Sequence, residues 1–229
     1  MNPNHSKLNL SKRARGMAAY FNPKSESAEQ FHMLHEAIEL IDNKNEFSSL
    51  LITSATKGEG VSTTSANFAI VSAQTGKKVL LVDADFRMPG VHDIFNIELR
   101  NGFSDFLNNR CSLKQATIFS GITNLDLVIS GHELVDHPSQ LLHSSRMEQF
   151  LEEMKKAYDL IIFDTPSLLP YSDGQIIAQH VDGAVLVVRN RKTARQEALK
   201  ARERLLATNA KVLGVVYNYQ MRNMKKLYK

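Results

Sequence analysis

The chain has 229 residues, 43% of them hydrophobic and 23% charged, a composition that supports one ordinary globular domain with a full core. Its one cysteine, Cys111, excludes an internal disulfide framework and fits a reducing cytosol. No apolar run approaches the roughly 20 residues of a membrane span, and Met1–Lys7 lacks a signal-peptide core. The formal charge of +4 is modest and partly terminal: Lys7, Lys12, Arg13 and Arg15 in front, Arg222, Lys225, Lys226 and Lys229 behind. Such ends read as solvated tails, or as electrostatic docking on an anionic membrane surface or acidic partner. No basic-aromatic motif points to nucleic acid.

Residues 1–26 are polar and predict a flexible arm. From Ser27, Phe31, Leu34, Ile38 and Ile41 recur at helical spacing, with Ser27 and Gln30 suited to a capping box. Ser49 to Thr53 predicts a strand and Thr63 to Thr75 a helix. Lys78 to Asp83 is a continuous apolar run ending in a carboxylate, the pattern of a buried parallel strand. Leu125 to Ser130 predicts another strand, Met147 to Ala157 a helix and Leu160 to Asp164 a strand. Asp173 to His180 predicts a helix, Gly183 to Arg189 a strand, Thr193 to Asn209 a long helix and Val212 to Asn218 the last strand. This alternation implies an α/β, doubly wound, mostly parallel sheet with helices on both faces. The domain is expected over 27–220, with a basic tail at 221–229.

Ligands of such sheets bind beyond the carboxyl ends of the strands. Three strands deliver suitable groups there. The first opens into Ser54-Ala55-Thr56-Lys57-Gly58-Glu59-Gly60-Val61-Ser62-Thr63-Thr64, the strand–glycine loop–helix layout of a phosphate-binding loop. Gly58 and Gly60 permit the unusual dihedrals, and successive backbone N–H groups would bind phosphate oxygens. Ser62 can place its hydroxyl on Mg²⁺, and Thr63 can reach a further phosphate. The second strand ends in Asp83-Ala84-Asp85-Phe86-Arg87 and the third in Asp164-Thr165-Pro166. Asp83, Asp85 and Asp164 are hard oxygen ligands for Mg²⁺ or its waters, one of them able to act as a base. Arg87 could pair with phosphate through its planar fork. Each feature alone also reads as an ordinary turn or cap. Their order on three strands points to a P-loop-type nucleotide site.

With those residues in place, the chain resembles the bacterial tyrosine-kinase family, P-loop autokinases of capsule and exopolysaccharide export that are related to the Min and Par ATPases. The resemblance covers about residues 27–220. It rests on Val79 to Pro89 as a second Walker-like motif, Gly102 to Leu107, His137 to Leu142, and Tyr158 to Pro166 as a Walker B strand. Asp173, Asp182-Gly183, Val187-Val188-Arg189 and Lys192-Thr193 also match. It implies ATP and Mg²⁺, with Ser62, Asp83 and Asp164 at the metal and Asp83, Asp85 and Asp164 as the catalytic carboxylates. Lys57, Gly58, Glu59, Gly60, Val61, Ser62, Thr63 and Arg87 would line the nucleotide, and Asn218 would approach the adenine. A separate transmembrane polysaccharide co-polymerase or modulator and a homo-oligomer are the implied partners, at the inner face of the cell membrane.

Three features depart from the family pattern. Val61 stands where the phosphate-binding lysine is usual, a contact worth roughly 1.5–3 kcal/mol. Lys57, in the same loop, is a candidate replacement. The tail from Gln220 holds only Tyr228 as a phosphoacceptor, Tyr217 and Tyr219 being assigned to the last strand or its exit. His32 and His35 replace arginines of a subunit-packing helix; they read as a surface pair or as a pH-sensitive subunit contact. His92 reads as a surface histidine, and no cysteine–histidine cluster suggests zinc. The expectations are therefore an ATP-dependent tyrosine autokinase, a pseudokinase or nucleotide-sensing scaffold of the same export system, or a partition-type ATPase.

Overall fold

The computed structural model describes residues 16–42, 47–132 and 135–219. Its seven strands are β1 (Ser49–Ser54), β2 (Val79–Asp83), β3 (Thr117–Ile122), β4 (Leu125–Val128), β5 (Leu160–Asp164), β6 (Gly183–Arg189) and β7 (Lys211–Asn218). They form one sheet in the order β3-β4-β2-β5-β1-β6-β7. Every pairing is parallel except β3 with β4.

The helices are α1 (Ala18–Phe21), α2 (Glu26–Ile41), α3 (Val61–Gln74), α4 (Val91–Phe95), α5 (Phe103–Leu107), α6 (Leu113–Ala116), α7 (Pro138–Leu142), α8 (Ser145–Ala157), α9 (Asp173–Ala178) and α10 (Arg195–Leu206). The period-2 alternation of each central strand supplies two cores. Leu51, Leu80, Val82, Ile161 and Phe163 meet the aromatic cluster Phe103, Phe106 and Phe150 on one face. Leu50, Ile52, Leu81 and Ile162 meet Phe68, Ile70 and Val71 of α3 on the other. Thr64 to Ala73 of α3 are all buried, so this helix is a core element whose N-terminus is fixed at the sheet's carboxyl edge.

Several local expectations shift. The antiparallel β3 was not expected: its Thr-Ile-Phe-Ser-Gly-Ile stretch is short, bulged and half-exposed, with Phe119 open to solvent. The cap of α2 is Ser25, whose side chain accepts from the Ala28 amide, rather than Ser27. Within the expected polar arm, Met17 and Ala19 are buried, and the Ala19 amide donates to Asn67 Oδ1 of α3. Met17 and Ala19 are therefore docked on the domain, while Tyr20 and Phe21 stay exposed.

The histidine pair divides. His35 is buried against Phe68 at 6.1 Å, and burial lowers its pKa. A neutral core imidazole replaces the expected surface pair, because α2 turns this position toward α3. His92 is largely covered as well, with Nδ1 buried and unpaired.

Two devices pin the loops around the sheet. Asp182, at the entry to β6, accepts from the amides and hydroxyls of Ser48 and Ser49 at the entry to β1. Burial alone would raise its pKa, but Ser49, Lys155 and Ser48 hold it below the ordinary carboxylate value. At the opposite end, a Cβ on Gly102 would stand 2.2 Å from Ile129 O and 2.5 Å from Gly131 N, both rigid backbone. Gly102→Ala is therefore expected to destabilise the fold by about 3 kcal/mol. Gly214→Ala, where nothing lies within 4 Å, should be nearly neutral. Urea unfolding of the two variants checks this contrast.

Candidate nucleotide and metal site

The strand order puts the carboxyl ends of β1, β5 and β2 side by side. The loop after β1 carries Gly58 (φ 74°) and Gly60 (φ 99°) in the left-handed region, where a side chain would be strained. Gly60 is the N-cap of α3, and the first backbone bond of the helix is Thr64 N–H to Gly60 O. The amides just ahead of it have no partner within the helix, so they and the helix dipole favour an anion. A cleft of about 420 Å³ opens there, lined by Lys57, Gly58, Gly60, Val61, Ser62, Thr63, Asp85 and Arg87, with Met88, Pro166, Pro170 and Tyr171 opposite.

Two carboxylates lie deeper. Asp83 of β2 and Asp164 of β5 are register partners and both are buried. Burial pushes the Asp83 pKa up to about 7, against the lowering effect of the Val91 amide, with the Asp85 charge adding to the rise. Asp164 is raised well above the ordinary range, first by burial and then by the charge of Asp83, with the Ser62 and Ser65 hydroxyls opposing. Ser65 Oγ donates to Asp164 Oδ1 at 3.1 Å, while Asp164 Oδ2 is buried without a partner.

That orphaned carboxyl oxygen, next to a second buried carboxyl group and the Ser62 hydroxyl, fits a divalent cation, which would favour the ionised forms. Among the described residues no group of three or more His, Cys, Asp or Glu side chains could hold a metal. Mg²⁺ suits such a sparse site, because it keeps waters and takes its remaining ligands from substrate phosphates. Asp83, Asp164 and Ser62 are the groups that would hold it.

Other expected residues are committed to the framework. Glu59 does not face the cleft. Its carboxylate is buried and accepts from Ala55 N (3.1 Å), Thr56 Oγ1 (2.7 Å) and Thr193 Oγ1 (2.5 Å). Arg87 lines the cleft, but its fork is spent on Asp173 at 2.7 and 3.3 Å, with its plane 4.0 Å over Tyr171. Asp85 accepts from the Arg87 and Met88 amides and borders the cleft, where burial raises its pKa. Asn218 Nδ2 donates to Glu59 O at 2.8 Å and lines a second groove, with Thr63 and Tyr217. Val61 packs partly on the α3 core cluster. Tyr217, in β7, donates its hydroxyl to Asn190 Oδ1. Tyr228 lies outside the described residues.

The sequence reading missed the β6–α10 turn as part of this site. Arg189 Nη1 donates to Gly58 O at 3.0 Å, and Lys192 Nζ donates to Lys57 O. Arg189 and Lys192-Thr193 stood out in the sequence only as family matches; nothing there showed that they touch a loop some 130 positions earlier.

Comparison with known proteins agrees with the fold. A family model described as an AAA domain matches residues 48–215. Tyrosine-protein kinase YwqD of Bacillus subtilis is 41% identical over 208 residues, covering 91% of this chain and 87% of that protein. The solved kinase domain of Escherichia coli tyrosine kinase Etk superposes with a TM-score of 0.85 at 30% identity, over 92% of this chain and 82% of that one. The chain belongs to the bacterial tyrosine-kinase family. It spans 28% of full-length Etk, so its match there is to one domain of a longer protein. MinD from Pyrococcus horikoshii, at 21% identity and a TM-score of 0.66, shares the fold.

In this member of the family the buried carboxylate pair makes stability depend on pH. The folded Asp83 holds its proton to about pH 7, whereas the unfolded chain releases it near 3.8. Stability of the metal-free protein is therefore expected to fall as pH rises from about 4 through about 7. Asp83→Asn should lessen that slope, Asp164 keeping its own burial-driven share, and added Mg²⁺ should stabilise more at pH 8 than at pH 6. Urea midpoints across the range check both; a midpoint that stays level in the native protein contradicts the assignment.

Proposed function

We propose that this chain is an ATP-dependent protein-tyrosine autokinase of a capsule or exopolysaccharide export system. The observation that carries this reading is the Asp83–Asp164 pair beneath the Gly58–Gly60 loop. A cleft with free helix-terminal amides above and two buried carboxylates below suits a polyphosphate with its cation. When bound, Mg²⁺ would neutralise charge on the phosphates. The chain's own part is to cradle them with loop amides, to hold the cation with Asp83, Asp164 and Ser62, and to offer Asp85 at the cleft wall as acceptor for a tyrosine hydroxyl proton. Tyr228 is the proposed acceptor. The relatives named tyrosine-protein kinases support the reaction class.

No described helix is long and apolar enough to cross a membrane. The reading also includes a separate transmembrane modulator and a peripheral position at the inner membrane face, with homo-oligomers allowing transfer between copies.

A second reading, a nucleotide-sensing scaffold of the same system, is favoured by two specific observations: the apolar Val61 and the commitment of Arg87 to Asp173. Phosphotransfer separates the two. The chain is incubated with labelled Mg²⁺·ATP and phosphotyrosine is mapped by mass spectrometry. The kinase reading expects slow tyrosine labelling, raised roughly 10²–10³-fold by Val61→Lys if the lysine acts mainly on transition-state charge, and lost in Asp83→Asn. A native chain without label, alongside a labelled Val61→Lys variant, supports the scaffold.

A further inference from the structure

The loop after β1 lacks the cation that usually enters from the first turn of its helix, yet it is not without cations. The turn between β6 and α10 folds over it. Arg191, at φ 57°, takes the left-handed conformation in this turn. Lys192 Nζ donates to Lys57 O, Arg189 Nη1 donates to Gly58 O at 3.0 Å, and Thr193 Oγ1 bonds Glu59 Oε1 at 2.5 Å. A Cβ built on Gly58 would lie 2.8 Å from Lys192 Nζ, so the ammonium stands directly against the glycine of the phosphate loop.

We propose that Lys192 supplies the phosphate-binding charge that Val61 cannot. This assignment rests on the cleft being a nucleotide site. In the structure the ammonium is held by a neutral carbonyl. A phosphate oxygen adds an ionic attraction that the neutral carbonyl lacks, so an entering polyphosphate competes well for Nζ. Lys192 is exposed and has a flexible four-carbon stem, so its ammonium is free to exchange partners by a rotamer change. The two nearby arginines are engaged elsewhere, which leaves Lys57 as the competing cation. Arg87 is locked bidentately on Asp173, and Arg189 braces Gly58 O. Lys57 lines the cleft from the loop itself, and its carbonyl is the group that holds Lys192. The charge has thus moved from the helix after β1 to the turn after β6.

Calorimetric binding of Mg²⁺·ADP and adenosine to the full chain tests this, using native protein, Lys192→Gln, Lys192→Arg, Lys57→Gln, Val61→Lys and the Val61→Lys/Lys192→Gln double variant. Lys192→Gln is expected to weaken ADP about 10- to 100-fold and adenosine hardly at all. Lys192→Arg should keep most of the affinity, and Lys57→Gln should lose much less. In the Val61→Lys background the Lys192→Gln loss should shrink sharply, because the new lysine takes over the contact. Thermal melts confirm that the exposed substitutions leave the fold intact. Native-like ADP affinity in Lys192→Gln, or an equal loss in Lys57→Gln, overturns the assignment. Binding seen only in Val61→Lys also overturns it while leaving the cleft a nucleotide site. Absence of binding in every variant overturns the nucleotide reading and the assignment with it.

Discussion

The parallel pairing of β2 with β5 sets Asp83 opposite Asp164, and most of the site depends on that juxtaposition. Two carboxylates side by side in a buried, weakly polarisable setting cannot both ionise without a partner. The molecule relieves the first through the amides of Gly90 and Val91 and the second through Ser65. One oxygen of Asp164 is left unanswered. Buried polar atoms are rarely abandoned in this way unless a ligand, an ion or a proton completes them. The rest of the fold makes the arrangement affordable: α3 is buried along most of its length and presents its first turn to the pair.

Around this pair the framework is held by contacts between segments far apart in sequence. Glu59 ties its own loop to the β6–α10 turn through Thr193, and Asn218 of β7 reaches the same loop. Arg204 of α10 donates to the carbonyls of Leu168 and Leu169, which lead into the Pro170–Tyr171 wall of the cleft. Arg87 and Asp173 then join the β2 exit to α9. All but the Asn218 bond are charge-assisted and in partly buried positions, where they order a loop better than exposed pairs do. A cleft held in place in this way loses less entropy when a ligand enters. The same contacts explain why Glu59 and Arg87, both attractive as ligand groups by type, act as braces.

The family's fold is thus kept while its charge distribution is altered. An apolar residue begins α3, and two cations of the turn after β6, Arg189 and Lys192, contact the phosphate loop. Kinase and scaffold share all of the backbone geometry. They differ in whether the remaining charges reach the phosphates strongly enough in the transition state, which is a matter of a few kcal/mol and a few side-chain positions.

The parallel α/β class, the three strand ends and the family were legible in the sequence, because each is written locally. Continuous apolar runs mark strands buried on both faces, Gly58 and Gly60 mark a phosphate loop, and a carboxylate closes each of two runs. The chain also carried, in Val61, the plain statement that a usual charge is missing. It could not say that β5 inserts between β1 and β2, that α2 turns His35 inward, or that Lys192 lies on Gly58. Hydrophobic periodicity specifies which face of an element is buried but not which element covers it. Side-chain partners across more than a hundred residues are chosen only when the sheet order is set. Local chemistry named the groups of the site; tertiary packing decided which of them face the cleft, which hold it together and which cation stands over the loop.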